Sequence, residues 1–64
     1  MDELEKNIVT YMLNRGAVKR IELERFTNKS SGTIRTRLKH LMSINVVKAN
    51  GKRYDPNLTY ELTF

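Results

Sequence analysis

Ser30-Ser31-Gly32-Thr33-Ile34-Arg35-Thr36-Arg37-Leu38-Lys39-His40-Leu41-Met42-Ser43-Ile44-Asn45-Val46-Val47-Lys48 is the stretch on which the fold turns. Ile34, Leu38 and Leu41 fall at i, i+4 and i+7, the apolar stripe of an amphipathic helix. Ser30 or Ser31 supplies the N-cap. Asn45 tolerates the positive φ of a left-handed C′ residue, so the helix is expected over about 31–44. Turning the stripe inward leaves Gly32, Thr33, Thr36, Lys39, His40 and Ser43 on the opposite face, with Arg35 and Arg37 on its flanks. That face holds no acid and no large apolar residue.

Upstream, Asp2 and Glu5 have capping-box spacing. Leu4, Ile8 and Tyr11, flanked by Val9, Met12 and Leu13, make a broad helical stripe over about 3–14. Gly16 suits the C′ position that follows. Ala17 and Val18 are too few for an independent strand, but can add two or three ladder bonds to a sheet formed elsewhere. A second helix over about 20–27 buries Leu23 and Phe26. Its start is poorly marked, because Lys19 occupies the capping position. Asn28 and Lys29 form the turn into the third helix.

Downstream, Leu58-Thr59-Tyr60-Glu61-Leu62-Thr63-Phe64 alternates apolar and polar residues, the pattern of a half-buried strand. Asn50-Gly51 and Asp55-Pro56-Asn57 are turn signals. Two pairings fit: a tight hairpin at Asn50-Gly51 joining 47–49 to 52–54, or strands 46–49 and 58–63 joined by a long basic loop. The second is preferred, because 58–64 has the stronger strand pattern and needs a partner. Tyr11, Phe26, Tyr60 and Phe64 fall at expected core positions, leaving Tyr54 as the one candidate stacking platform. Readers of single-stranded nucleic acid normally display several.

The chain has 64 residues and a net charge of +5, room for one domain over 1–64 with a thin core. Charge is unevenly placed. Residues 1–24 carry Lys6, Arg15, Lys19 and Arg20 against Asp2, Glu3, Glu5, Glu22 and Glu24. Residues 25–54 carry Arg25, Lys29, Arg35, Arg37, Lys39, Lys48, Lys52 and Arg53 with no acid at all. A basic run of this kind is an electrostatic footprint for a polyanion. Absence of Cys excludes disulfides and thiolate chemistry, and lone His40 has no partners for a metal site. Neither a phosphate loop nor a nucleophile–base pair is legible, so a non-enzymatic protein without cofactor or small-molecule ligand is expected. The acidic N-terminus is unlike a secretory leader, and no apolar run approaches a membrane span. A cytoplasmic, nucleoid-associated protein is expected.

Helix, short strand, helix, tight turn, helix and hairpin follow the order of a winged helix-turn-helix, an α+β and mostly helical fold. Gly16 to Thr27 resembles the segment leading into and through the second helix of many bacterial and archaeal regulators. Ser30 to Leu41 resembles their recognition helix, in which a capping Ser, Thr, an aliphatic residue, Arg and Leu recur. Asn45-Val46-Val47-Lys48 stands where the family enters its wing. The pattern is similar to small MarR- and ArsR-like transcriptional regulators at superfamily level. Lys29 departs from it, standing where an aliphatic residue is usual. Asn28 and Asn45 replace glycines, and Ile21 adds an apolar residue that suits a partner surface.

This resemblance implies a sequence-specific protein for double-stranded DNA, most simply a repressor that occludes a promoter. Helix 31–44 would enter the major groove, with wing 50–57 on the flank. Ser31, Gly32, Thr33, Arg35, Thr36, Arg37, Lys39, His40, Lys52 and Arg53 are the candidate DNA-binding residues. A protein-docking winged helix and an excisionase-like architectural factor of a phage or plasmid are the alternatives. A weak homodimer through Met12, Leu13 or the C-terminal strand is the expected self-association.

Overall fold

The computed structural model describes residues 1–64, with extents of 28 × 25 × 21 Å. Helix α1 spans Glu3–Leu13, α2 Arg20–Thr27 and α3 Ser31–Ser43, followed by strands β1, Val47–Asn50, and β2, Thr59–Leu62. The expected helices over 3–14 and 31–44 each end one residue earlier. The strands sit one residue inside or beyond their expected bounds of 46–49 and 58–63. No helix is long and apolar enough to cross a membrane.

Helix termini are set by local chemistry. In α1, Asp2 accepts the Glu5 N–H at 2.8 Å, and Glu5 accepts the Asp2 N–H at 3.3 Å, a reciprocal capping box. Gly16, at φ +76°, then lets its N–H reach the Met12 carbonyl and close the helix. Lys19 cannot cap α2 with its side chain. Glu22 reaches back instead and accepts the Lys19 N–H at 2.9 Å, so half of a capping box does the work of the missing cap. At the α3 start Ser30, not Ser31, is the cap, accepting the Thr33 N–H at 3.2 Å. Asn28 and Asn45 take φ of +57° and +61°. Behind them Lys29 N–H bonds the Glu24 carbonyl and Val46 N–H bonds the Leu41 carbonyl, turning the chain out of each helix.

Strands β1 and β2 pair antiparallel, Val47 with Leu62 and Asn50 with Thr59. The long-loop arrangement is therefore the one adopted. Val18 adds a bridge to Tyr60 through two bonds of 2.8 and 2.7 Å, and Ala17 stays outside it. Ile8, Met12, Val18, Leu23, Ile34, Leu38, Leu41 and Val47 form the core, and none is more than 2% exposed. Every helix and β1 contribute to it, so the three helices and the hairpin are fixed by one shared cluster.

Three expectations about apolar residues are corrected. Met12 is buried, not a dimer surface, because the inward line of α1 is Glu5, Ile8 and Met12. The stripe is rotated about one residue from Leu4, Ile8 and Tyr11, which are, apart from Ile8, only partly buried. Phe26 is 54% exposed. With only eight residues, α2 points Leu23 alone into the core, and Phe26 lies against the outer ring of Tyr11 at a centroid distance of 4.6 Å. Phe64 is 78% exposed because it lies past Thr63, whose N–H to Val46 is the last bond of the hairpin.

Candidate nucleic-acid interface

Helix α3 has a buried strip, an exposed strip opposite it and two flanks between them. Ile34, Leu38 and Leu41 are buried. Facing away from them, Gly32, Thr36, Lys39 and Ser43 are exposed. The hydroxyls of Thr36 and Ser43 donate to the Gly32 and His40 carbonyls, leaving their lone pairs outward as acceptors. An added methyl at Gly32 would meet nothing within 4 Å, so another molecule can approach the backbone closely there. The Ser31 and Gly32 N–H groups have no bond within the chain, and helix starts of this kind favour anions.

The two flanks of α3 differ. On the wing side, Arg35, Lys39 and Met42 border a groove of about 760 Å³, closed on the far side by Gly51, Arg53, Tyr54 and Leu58 and at one end by Lys19 and Ile21. Ile21, Leu38, Met42 and Leu58 give it an apolar floor, and Arg35, Lys39, Arg53 and Lys19 a cationic rim. None of those four cations makes an ion pair within the chain. Asp55 is the single acid on the rim.

On the α1 side the charges are engaged. Arg37 lies 2.6 Å from Asp2, and His40 Nδ1 lies 2.6 Å from Glu5 Oε2. Glu5 is 1% exposed, the one charged residue in the interior. Thr33 is half-buried and accepts from the Ser30 hydroxyl at 3.0 Å. A shallow polar recess beside this flank is lined by Gly32, Thr33, Thr36 and Arg37. The expected outward face thus divides: Thr33 and His40 belong to the α1 flank.

The wing, residues 51–58, consists of two consecutive turns. Asp55 N–H bonds Lys52 at 3.0 Å, Leu58 N–H bonds Asp55 at 3.0 Å, and the Asp55 carboxylate accepts Asn57 N–H at 2.8 Å. Lys52, Arg53 and Tyr54 are exposed at its tip, with the Arg53 guanidinium 5.1 Å from the Tyr54 ring centre. Among the expected site residues, the structure brings Arg35, Lys39 and Arg53 to one groove. Ser31, Gly32 and Thr36 lie at or near the amino-terminal end of α3, and Arg37 and His40 are drawn to α1. Sequence reading missed Lys19 and Tyr54 as groove residues. Lys19 was legible only as a poor cap, and its place in the groove depends on how α2 packs on α3.

No family model matches the chain, and no curated protein matches it by sequence. Among solved structures it is similar to Stf76 from the Sulfolobus islandicus plasmid-virus pSSVx, with a TM-score of 0.80 and 25% identity. That match covers 98% of this chain and 84% of the other. Three helices, a tight α2–α3 corner and a two-stranded antiparallel hairpin make this an α+β, mostly helical chain with the arrangement of a winged helix.

Proposed function

We propose that the chain is a sequence-specific binder of double-stranded DNA that regulates transcription, most simply by occluding a promoter. The observation that carries this reading is the groove between α3 and the wing, whose rim holds four cations without carboxylate partners. Unpaired cations on a concave surface are the arrangement that holds phosphates, and the exposed α3 strip beside them offers groups for base edges. In this reading α3 enters the major groove and Thr36, with Gly32 beside it, approaches the bases. Arg35, Lys39 and Lys19 hold phosphates, the Ser31 amide adds a backbone contact, and Lys52 and Arg53 reach the flank. No cofactor or catalytic step is part of it, and a small MarR- or ArsR-like regulator associated with the nucleoid is the class proposed.

Titration of a labelled duplex of about 25 base pairs at several salt concentrations tests this directly. Binding whose log K falls steeply with log salt is expected, together with weaker, flatter binding by Arg35→Ala. No complex at low salt and micromolar protein would sink the DNA reading. A second reading, a protein-docking winged helix, draws on Phe26 and Ile21, which are 54% and 45% exposed. It predicts that Phe26→Ala or Ile21→Ala abolishes activity while Arg35→Ala leaves it intact. The plasmid-virus source of the similar structure gives weight to a third variant, an architectural DNA-binding factor of a mobile element. Bent DNA and cooperative binding at phased sites would mark it.

A further inference from the structure

Each carboxylate of the α1 capping box uses one oxygen within α1 and the other across to α3. Asp2 Oδ1 accepts the Glu5 N–H, while Oδ2 lies 2.6 Å from the Arg37 guanidinium. Glu5 Oε1 accepts the Asp2 N–H, while Oε2 lies 2.6 Å from His40 Nδ1. Helix capping needs only the first oxygen of each pair. Nor is Glu5 explained by packing: it occupies a core position where an apolar residue avoids the cost of burying a carboxylate. What the second oxygens do is engage the guanidinium of Arg37 and the imidazole of His40, two groups of the helix proposed to read DNA. A carboxylate oxygen on a guanidinium offers the same charge-assisted bond as a phosphate oxygen.

We propose that Asp2 and Glu5 form an intramolecular phosphate mimic: they hold Arg37 and His40 against α1, so that α3 meets duplex DNA through its exposed strip and wing-side flank and not through its α1-side flank. Arg37 then makes no contact with DNA and stays paired with Asp2 in the complex. This lowers the sequence-independent part of DNA affinity, which scales with the number of phosphates neutralised, and leaves the exposed strip of α3 to discriminate. The inference rests on the DNA-binding reading above.

Duplex titrations across a salt series with wild type, Arg37→Ala, Asp2→Asn and the double variant test it. Asn caps a helix about as well as Asp, so Asp2→Asn removes the charge and keeps the cap. Glu3→Gln is the control, the same charge change at an exposed residue in no ion pair. Arg37→Ala is expected to bind within about twofold of wild type with an unchanged salt slope. Asp2→Asn should steepen the slope by about 0.9 and tighten low-salt binding roughly three- to tenfold, as one released cation finds a phosphate. That gain should vanish in the double variant, while Glu3→Gln stays near wild type. A slope flattened by Arg37→Ala alone overturns the proposal, because Arg37 would then already touch phosphate. So does an Asp2→Asn gain that survives Arg37→Ala, which would be net charge only. These results leave DNA binding standing. Failure of every variant to bind any duplex overturns the DNA reading and the mimic together.

Discussion

The two flanks of α3 carry similar residues and have opposite fates. Towards α1, Arg37 and His40 each meet a carboxylate at 2.6 Å. Towards the wing, Arg35 and Lys39 meet none and border an open groove. One helix, of one composition, thus has a side whose charge is spent on holding the fold and a side whose charge is available to a ligand. Counting cations along a sequence measures their sum, and only the second group is left free of carboxylates for an external partner.

The sharpest way to break this contrast is on the wing side. Arg35→Ala with Lys39→Ala should lower duplex affinity by about 2–4 kcal/mol and reduce the salt slope by about 1.8, one phosphate each. Both side chains are exposed and unpaired, so the melting temperature should barely move. Isothermal calorimetry beside thermal melts separates the two effects. If stability fell and affinity held, the assignment of roles to the flanks would be reversed.

The converse experiment is on the α1 side. Glu5→Ala removes one bond of the capping box, the partner of His40 and a buried side chain at once. A cost of about 1–3 kcal/mol in urea unfolding is expected. Arg37→Ala should cost less, at most about 1 kcal/mol, because its ion pair with Asp2 is partly exposed on both sides. Equal costs would mean that the buried carboxylate contributes nothing beyond its surface neighbour.

Why one flank was legible and the other was not follows from the range of the forces involved. The stripe Ile34, Leu38, Leu41 fixes which side of α3 is inward, and the caps at Ser30 and Asn45 fix its ends. Those are short-range patterns, and the helices, the corner and the hairpin pairing were readable from them. Arg37 and His40 read as DNA-binding residues in the sequence because their partners lie 35 positions away at the start of the chain, beyond any local pattern. Glu5 shows the same limit: periodicity puts Leu4, Ile8 and Tyr11 on the inward stripe of α1, and the rotation that buries Glu5 instead is set by packing against the other elements. Phe26 and Phe64 were misplaced for a related reason. Apolar spacing finds a face, but whether that face is covered depends on how far the neighbouring elements extend.

The wing offers the smallest effect and a change of sign. Tyr54 holds φ at +67° in the turn from Lys52 to Asp55, a conformation that glycine adopts without strain, and its side chain is 84% exposed. Replacing it by Gly therefore removes backbone strain while removing almost no buried contact, and should raise stability by about 0.5–1 kcal/mol. In most exposed loops such a change would be free of consequence. Here it also removes the ring beside Arg53 at the edge of the cationic groove, so duplex affinity should fall by about twofold to fivefold, on the order of 0.4–1 kcal/mol. Thermal melts and titrations on the same preparation read both quantities. A variant that is more stable and binds less would show that the wing keeps a strained tyrosine for contact with DNA. A variant that is more stable and binds equally well would confine the wing's part to Lys52 and Arg53, and the charged groove would then account for its whole contribution.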